Sequence, residues 1–215
     1  MSLTIYAHPW SINSRKVLMT VAEKKAPFTL ELIVLPRGEH KQPAHLARHP
    51  FGKVPVIDHD GFALYETRAI QRYLDATLEG VGLVPEDRRE QARMEQWLGV
   101  AESYFSPLVH PMLVELVFRR HLGGERNEAA ISAGRAGMAP VLDVLDRELR
   151  EAPYLAGERF SLADIHYMPY FEYLERTGEG ALASRDGLSG WWRRVSARPT
   201  WRDVARTGQQ PDEPR

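Results

Sequence analysis

The chain has 215 residues, and its 28 Lys and Arg against 29 Asp and Glu leave a formal net charge of −1 and an isoelectric point near 6.7. That balance supplies no field for a phosphate backbone or an anionic membrane, so nucleic acid and membrane are not expected as partners. With no cysteine, disulfides, thiolate-bound zinc, iron–sulfur ligation and a cysteine nucleophile of the chain's own are all excluded, and any sulfur chemistry must arrive with a ligand.

The first 78 residues read as short alternating elements. Leu3 to Ala7 is a compact run of β-formers, and Leu30, Leu32 and Val34 alternate with Thr29 and Glu31, so both segments read as strands. Between them the polar cluster Ser11, Asn13 and Ser14 opens a helix carrying Val17, Leu18 and Val21 at helical spacing. A strand, helix and strand of this length form a right-handed crossover and a parallel pair. A short helical piece follows Pro43. Val54 to Ile57 and Phe62 to Tyr65 then flank Asp58-His59-Asp60-Gly61, a hairpin signal. From Thr67, the positions Ile70, Tyr73 and Leu74 mark another helix. The order βαβ, α, ββα is that of a thioredoxin-like α/β domain.

Beyond Leu78 the texture changes. Gly80, Gly82 and Pro85 break the pattern, and helix then follows helix with no convincing strand. The expected organisation is a thioredoxin-like domain over 1–78, a linker over 79–86, an all-helical bundle over 87–207 and a loose tail over 208–215. Pro107 and Pro111 are expected to kink or divide the first long helix, and Pro140 to disturb the one that begins near Glu128. The run Met112 to Phe118 is interrupted by Glu115 and falls far short of the roughly 20 residues of a membrane span. The opening residues have neither a basic lead nor a long apolar region, so the expected location is the cytoplasm.

In a thioredoxin-like domain the turn after the first strand lies beside the ligand. Here that turn is His8-Pro9-Trp10-Ser11-Ile12-Asn13-Ser14-Arg15, with hydroxyls, an amide and a cation where redox members carry cysteine. Such a stretch can activate an external thiol, because a helix N-terminus, a hydroxyl donor and Arg15 all favour a thiolate. A thiol with a pKa of about 8.5 is only about 3% ionised at pH 7, and lowering that value by two units takes roughly 2.7 kcal/mol. One hydrogen bond to a charged group contributes about 1.5 to 3 kcal/mol, so one serine hydroxyl suffices in size. The plainer reading of Ser11 is a helix cap, and the turn alone favours it.

Two further features bear on a ligand. Proline in the strand-like Val54-Pro55 belongs at an edge or a specialised turn, and a cis bond there would let Val54 turn its N–H and C=O outward to a peptide-like ligand. Glu66-Thr67-Arg68 opens a helix, with Thr67 as the expected cap. The unpaired N–H groups behind it suit a carboxylate, and Glu66 suits an ammonium. Together they fit an amino-acid head group, although each alone also reads as structural.

These residues resemble a family. Pro9-Trp10-Ser11-Ile12-Asn13, Gly38-Glu39-His40-Lys41-Gln42-Pro43, His49-Pro50-Phe51-Gly52-Lys53-Val54-Pro55 and Tyr65-Glu66-Thr67-Arg68-Ala69-Ile70 are similar to cytosolic glutathione transferases, nearest the serine-type phi class. Tyr154-Leu155-Ala156-Gly157, Phe160-Ser161-Leu162-Ala163-Asp164 and Trp192-Arg193-Arg194-Val195 extend the match through the helical half. The resemblance implies that Ser11 donates to the glutathione thiolate with Asn13 as supporting neighbour. It implies that His40 and Lys41 bind the glycine carboxylate, that Lys53 and the Val54 backbone contact the peptide portion, and that Glu66 and Thr67 hold the γ-glutamyl head group.

Glutathione is then the co-substrate, with no metal or other cofactor, and the second substrate is a small hydrophobic electrophile or an organic hydroperoxide. A homodimer is implied as well. Thr67 stands where the family often has serine, Lys53 where phi members often have glutamine, and His49 where asparagine is frequent. Ser14 offers a rival hydroxyl that its helical position should turn away. Two alternatives stay open: a non-catalytic glutathione-binding scaffold of the same fold, and a glutathione-dependent isomerase or dehalogenase.

Other patterns read as structural. Ser161 and Asp164 form a capping box with Phe160 as a staple, so Asp164 serves folding. His45 and His49, four apart, find no further metal ligands and are expected to be solvated. Trp191, Trp192 and Trp201 are expected in the core. Trp10 is a candidate wall for the electrophile, with Met112, Leu116 and Phe118 as further candidates that equally suit the bundle interior.

Overall fold

Four short strands build one mixed sheet around β1 (Leu3–Ala7), whose alternate residues Leu3, Ile5 and Ala7 are buried. In the computed structural model, which describes residues 2–207, β1 leads through α1 (Ile12–Lys24) to β2 (Thr29–Leu32). The short helix α2 (Pro43–Leu46) precedes β3 (Val56–His59), β4 (Phe62–Tyr65) and α3 (Thr67–Thr77). The sheet order is β2-β1-β3-β4. β1 and β2 run parallel with Thr4 opposite Thr29, and β1 and β3 run antiparallel with Ile5 opposite Ile57. The Asp-Gly signal does form the β3–β4 hairpin. Asp60 and Gly61 take φ of 52° and 86°, as a two-residue hairpin turn requires, and Asp58 Oδ1 accepts the Gly61 N–H at 2.9 Å. β3 begins at Val56, two residues later than the apolar run suggests.

α1 is buried almost around its circumference, with Val17, Leu18, Met19 and Val21 all enclosed. It packs on α3, where Gln71 Nε2 donates to Thr20 Oγ1 at 3.1 Å. Lys24 at its end donates to the Asp75 carbonyl, the Asp75 carboxylate and the Val81 carbonyl at 3.0, 3.1 and 3.1 Å.

This unit comprises residues 2–83 and, in addition, 197–207. The final helix was expected within the bundle. Instead, α10 (Pro199–Arg206) packs on α1, burying Trp201 and Val204, while the Glu23 carboxylate accepts from Arg198 Nε at 2.8 Å and from Thr200 Oγ1. The tail assigned to 208–215 lies outside the described residues.

The second unit, 84–196, is helical. It holds α4 (Arg88–Val100), α5 (Ser106–Leu113), α6 (Arg119–Leu122), α7 (Glu128–Glu151), α8 (Leu162–Arg176) and α9 (Asp186–Ser196). Proline divides the first long helix as expected: π-helical segments at Ala101–Phe105 and Val114–Phe118 bracket α5, which contains Pro107 and Pro111. Pro140 acts differently, because α7 runs unbroken for 24 residues. It lacks one N–H, but Met138, Leu142 and Leu145 are buried and α7 is held between α5 and α9, so packing outweighs one lost bond. Gly134 and Gly137 set the α5–α7 approach: a Cβ at Gly134 would sit 2.6 Å from Met112 Cβ, and one at Gly137 would sit 2.6 Å from Leu108 Cδ1.

The centre of this unit is α8. Its capping box forms, with Asp164 Oδ2 accepting the Ser161 N–H at 2.9 Å. The same carboxylate also accepts Leu155 N–H at 3.1 Å and Trp191 Nε1–H at 2.9 Å, so it ties a loop and α9 to the cap. Phe160 meets the Tyr154 ring edge-on at 5.9 Å. Trp191 and Trp201 are buried, each in its own unit, and Trp192 is half-buried against Trp191 and Phe171. Among the described residues no helix is long and apolar enough to cross a membrane.

Candidate active site

Ser11 sits where β1 hands the chain to α1. Its N–H donates to the His8 carbonyl at 2.9 Å, and its extended backbone makes it the N-cap of α1, with Oγ accepting the Ser14 N–H at 3.3 Å. A serine hydroxyl has one proton to donate and two lone pairs. Capping occupies one lone pair, and no described residue accepts the proton. The cap and the thiolate donor are therefore compatible roles of one atom. Arg15 is buried and its Nε donates to the Pro9 carbonyl at 2.8 Å, so it braces the turn from behind. Asn13, in the first turn of α1, and Trp10, whose ring meets His8 edge-on at 5.4 Å, are half-buried. Ser14 is fully buried and its hydroxyl has no partner, which encloses the rival group.

Residues 39–55 form the second part of the site. His40 and Lys41 lie on a short 3-10 turn, and Lys41 Nζ donates to the Phe51 carbonyl at 3.1 Å. Burial, then the Lys41 charge beside it, holds His40 below the usual histidine range. Gly52 has φ of 57°, and a Cβ there would lie 2.7 Å from the His40 carbonyl and 2.9 Å from Lys41 Nζ, so the loop closes onto the turn only with glycine. Lys53 is exposed, its carbonyl is 2.7 Å from His45 Nε2, and the Val54–Pro55 bond that follows is cis.

His45 and His49 are not solvated; both are 2% exposed. α2 presents its inner face to the site loop, and His49 stacks on Tyr65 with ring centroids 4.6 Å apart. Burial is the largest cause that lowers the His49 pKa, partly opposed by the nearby Glu66 carboxylate. Among the described residues no group of three or more His, Asp or Glu is placed to hold a metal ion.

The third part is the start of α3. The expected cap, Thr67, is the first helical residue, and the N-cap is Glu66, with φ of 74° and ψ of 115°. A non-glycine residue in such a conformation costs about 1 to 3 kcal/mol and marks a constrained site. It is held by β4 on one side and by the Ile70 N–H bond to the Glu66 carbonyl, 2.9 Å, on the other. The Glu66 side chain makes no cap bond and is exposed.

Of the apolar candidates in the helical unit, Met112 is fully buried against Gly134 and belongs to the bundle interior. Leu116 and Phe118 are half-buried, the latter edge-on to Tyr173 at 5.2 Å. Sequence reasoning missed the roles of His45, Gly52 and the Glu66 backbone. The histidine spacing was visible in the sequence, but the carbonyl it meets was not.

Comparison with known proteins converges on one family. Residues 10–77 match the N-terminal domain model of glutathione S-transferase, and residues 104–199 match its C-terminal domain model. Glutathione S-transferase F10 of Arabidopsis thaliana is 35% identical over 95% of this chain and 97% of its own length. The crystal structure of glutathione transferase F7 from Populus trichocarpa superposes with a TM-score of 0.91 at 32% identity, covering 97% of this chain and all of that one. A maize glutathione S-transferase I solved with an atrazine glutathione conjugate has a TM-score of 0.88 at 26% identity, with coverage of 99% and 100%. With its thioredoxin-like and helical halves matched in order, the chain belongs to the glutathione S-transferases, of the phi type, and is a transferase whose co-substrate is glutathione.

Proposed function

We propose that the unit containing β1–β4 binds glutathione and that Ser11 keeps its sulfur anionic for attack on a small apolar electrophile. The observation that carries this reading is the Ser11 hydroxyl: it caps α1 through a lone pair and retains its proton at a helix N-terminus, where an anion is favoured. Asn13 supports the turn. His40 and Lys41 take the glycine carboxylate, and Lys41 exchanges its Phe51 carbonyl for a charged acceptor. Lys53 and the backbone of Val54 meet the peptide portion, and Glu66 and Thr67 hold the γ-glutamyl ammonium and carboxylate at the start of α3.

Trp10 is the apolar wall beside the sulfur. The conjugate held by the maize relative supports conjugation of an apolar electrophile as the reaction class; organic hydroperoxides are a second substrate class for the same thiolate. The chain works in the cytoplasm, where glutathione is kept reduced, and as a homodimer.

The test is dye conjugation with glutathione and 1-chloro-2,4-dinitrobenzene, run beside Ser11→Ala. Turnover that falls at least tenfold in the variant supports the reading. Glutathione binding without turnover, on this dye and on a panel of other electrophiles, would identify a scaffold instead. Sedimentation of the parent chain checks the dimer: a mass of one chain overturns it.

A further inference from the structure

We infer that His45 is a positioning residue for glutathione: from α2 it holds the Lys53 carbonyl and so sets the peptide plane that turns the Val54 N–H toward the tripeptide. This rests on the proposal that the Val54 backbone receives the peptide portion of glutathione.

His45 is 2% exposed, and its Nε2 lies 2.7 Å from the Lys53 carbonyl oxygen. A carbonyl only accepts, so the proton resides on Nε2. Nδ1 is buried without a partner. Leaving a buried polar atom unsatisfied costs free energy, so an apolar residue would serve a purely structural position better. What the imidazole adds is the grip on one carbonyl.

That carbonyl belongs to the peptide joining Lys53 to Val54. Among the described residues the one cis bond is Val54–Pro55, so the Lys53–Val54 peptide is trans. In a trans peptide the C=O and N–H lie in one plane and point in opposite directions. Holding the Lys53 oxygen toward the buried imidazole therefore aims the Val54 N–H the other way, out of the loop. Two further contacts keep this segment from rotating as a body: the Gly52 N–H donates to the His49 carbonyl at 2.8 Å, and Gly52 closes on the His40 carbonyl. His45 is the member of the set that acts on the peptide next to the ligand. It touches no reacting atom.

The experiment compares the full chain with His45→Phe, which keeps a buried ring and removes the donor, and with His45→Gln, whose amide nitrogen replaces Nε2. The measurements are kcat, KM for glutathione at saturating 1-chloro-2,4-dinitrobenzene, the pH profile of kcat and the melting temperature. In His45→Phe, KM for glutathione should rise roughly tenfold, with kcat within about twofold and an unchanged pH profile. His45→Gln should restore most of the KM. A His45→Phe chain with a lowered melting temperature and the parental KM overturns the inference, because the residue then serves stability alone. If His45→Phe does not fold, His45→Asn, too short to reach the carbonyl, is read against the same expectations. Failure of the parent chain itself to bind glutathione by calorimetry overturns the underlying functional reading as well, and so is distinct from a parental KM in the variant.

Discussion

Ser11 and Ser14 are joined by one hydrogen bond in which the later residue's amide donates to the earlier residue's hydroxyl at 3.3 Å. The bond is long, so capping makes only a weak claim on the oxygen. Replacing Ser11 by alanine should therefore cost little stability, toward the low end of about 0.5 to 2 kcal/mol. The larger effect should be on chemistry: a lost hydrogen bond to a charged sulfur lowers conjugation by roughly 10- to 100-fold near neutral pH. Ultraviolet titration of the bound thiolate should show its pKa moving up in the variant, and an unshifted titration would remove Ser11 from its role.

Lys41 offers a second test, because its ammonium rests on the Phe51 carbonyl, which is a neutral acceptor. Lys41→Ala should raise KM for glutathione about 5- to 30-fold, since bonds to charged partners exceed those to neutral ones by a factor near two. Glutathione ethyl ester, which lacks the glycine carboxylate charge, should bind the variant and the parent alike. A parental preference for the free acid that persists in Lys41→Ala would place the carboxylate elsewhere.

Asp164 should govern folding and leave chemistry untouched. It is fully buried, and it accepts from Leu155, Ser161 and Trp191 at once. Burial is the dominant influence on its carboxyl and raises its pKa, against the pull of those donors. Asp164→Ala would strand at least three donors, and unfolding in urea should show a loss of about 3 kcal/mol or more. The activity of the remaining folded fraction per active site should stay within about twofold of the parent.

His40 and His49 give the fold an acid limb. Both have pKa values lowered in the folded state, chiefly by burial. The unfolded chain therefore takes up protons first as pH falls through about 6.5, and stability must decline from there until the folded values are passed. Urea midpoints should drop between about pH 7.5 and pH 5.5, and the drop should be smaller in His49→Phe, which keeps the ring on Tyr65 without a titrating group. Equal slopes in the two chains would remove His49 from the acid limb.

Gly134 should resist substitution more than any helix propensity implies. Alanine is ordinarily favoured over glycine within a helix by about 1 kcal/mol. Here its Cβ would meet Met112 Cβ at 2.6 Å. Gly134→Ala should lower stability by about 1 to 3 kcal/mol, a change of sign that thermal unfolding would resolve.

Local patterns in the sequence carried much of the fold. β1, β4 and α3 lie where a run of β-formers, a hairpin signal and helical spacing put them, and the Asp-Gly turn and the Ser161 capping box form from residues only a few positions apart. Each is stabilised by contacts within a turn or a single hairpin, so the information is contained in the segment. Ser11 was legible for the same reason, as a polar residue at a strand-to-helix junction.

The misreadings occur where the deciding partner is distant. Thr67 is the better cap by residue type, yet Glu66 holds the cap position because β4 and α3 fix its backbone from both sides. His45 and His49 have the spacing of solvated or metal-binding residues and are instead buried against the Lys53 carbonyl and the Tyr65 ring. Pro140 signals a break that packing on two flanking helices overrides.

The sequence by itself therefore determined the identity and order of the elements, the absence of any cysteine chemistry and the hydroxyl placed at the head of α1, because these depend on residue type and short-range spacing. Tertiary structure alone decided which buried polar groups meet which carbonyls, and that the last helix returns to α1 through Arg198 and Glu23, 175 residues apart. A buried polar atom takes whichever partner the folded backbone brings within 3 Å, and that choice has no trace in local pattern.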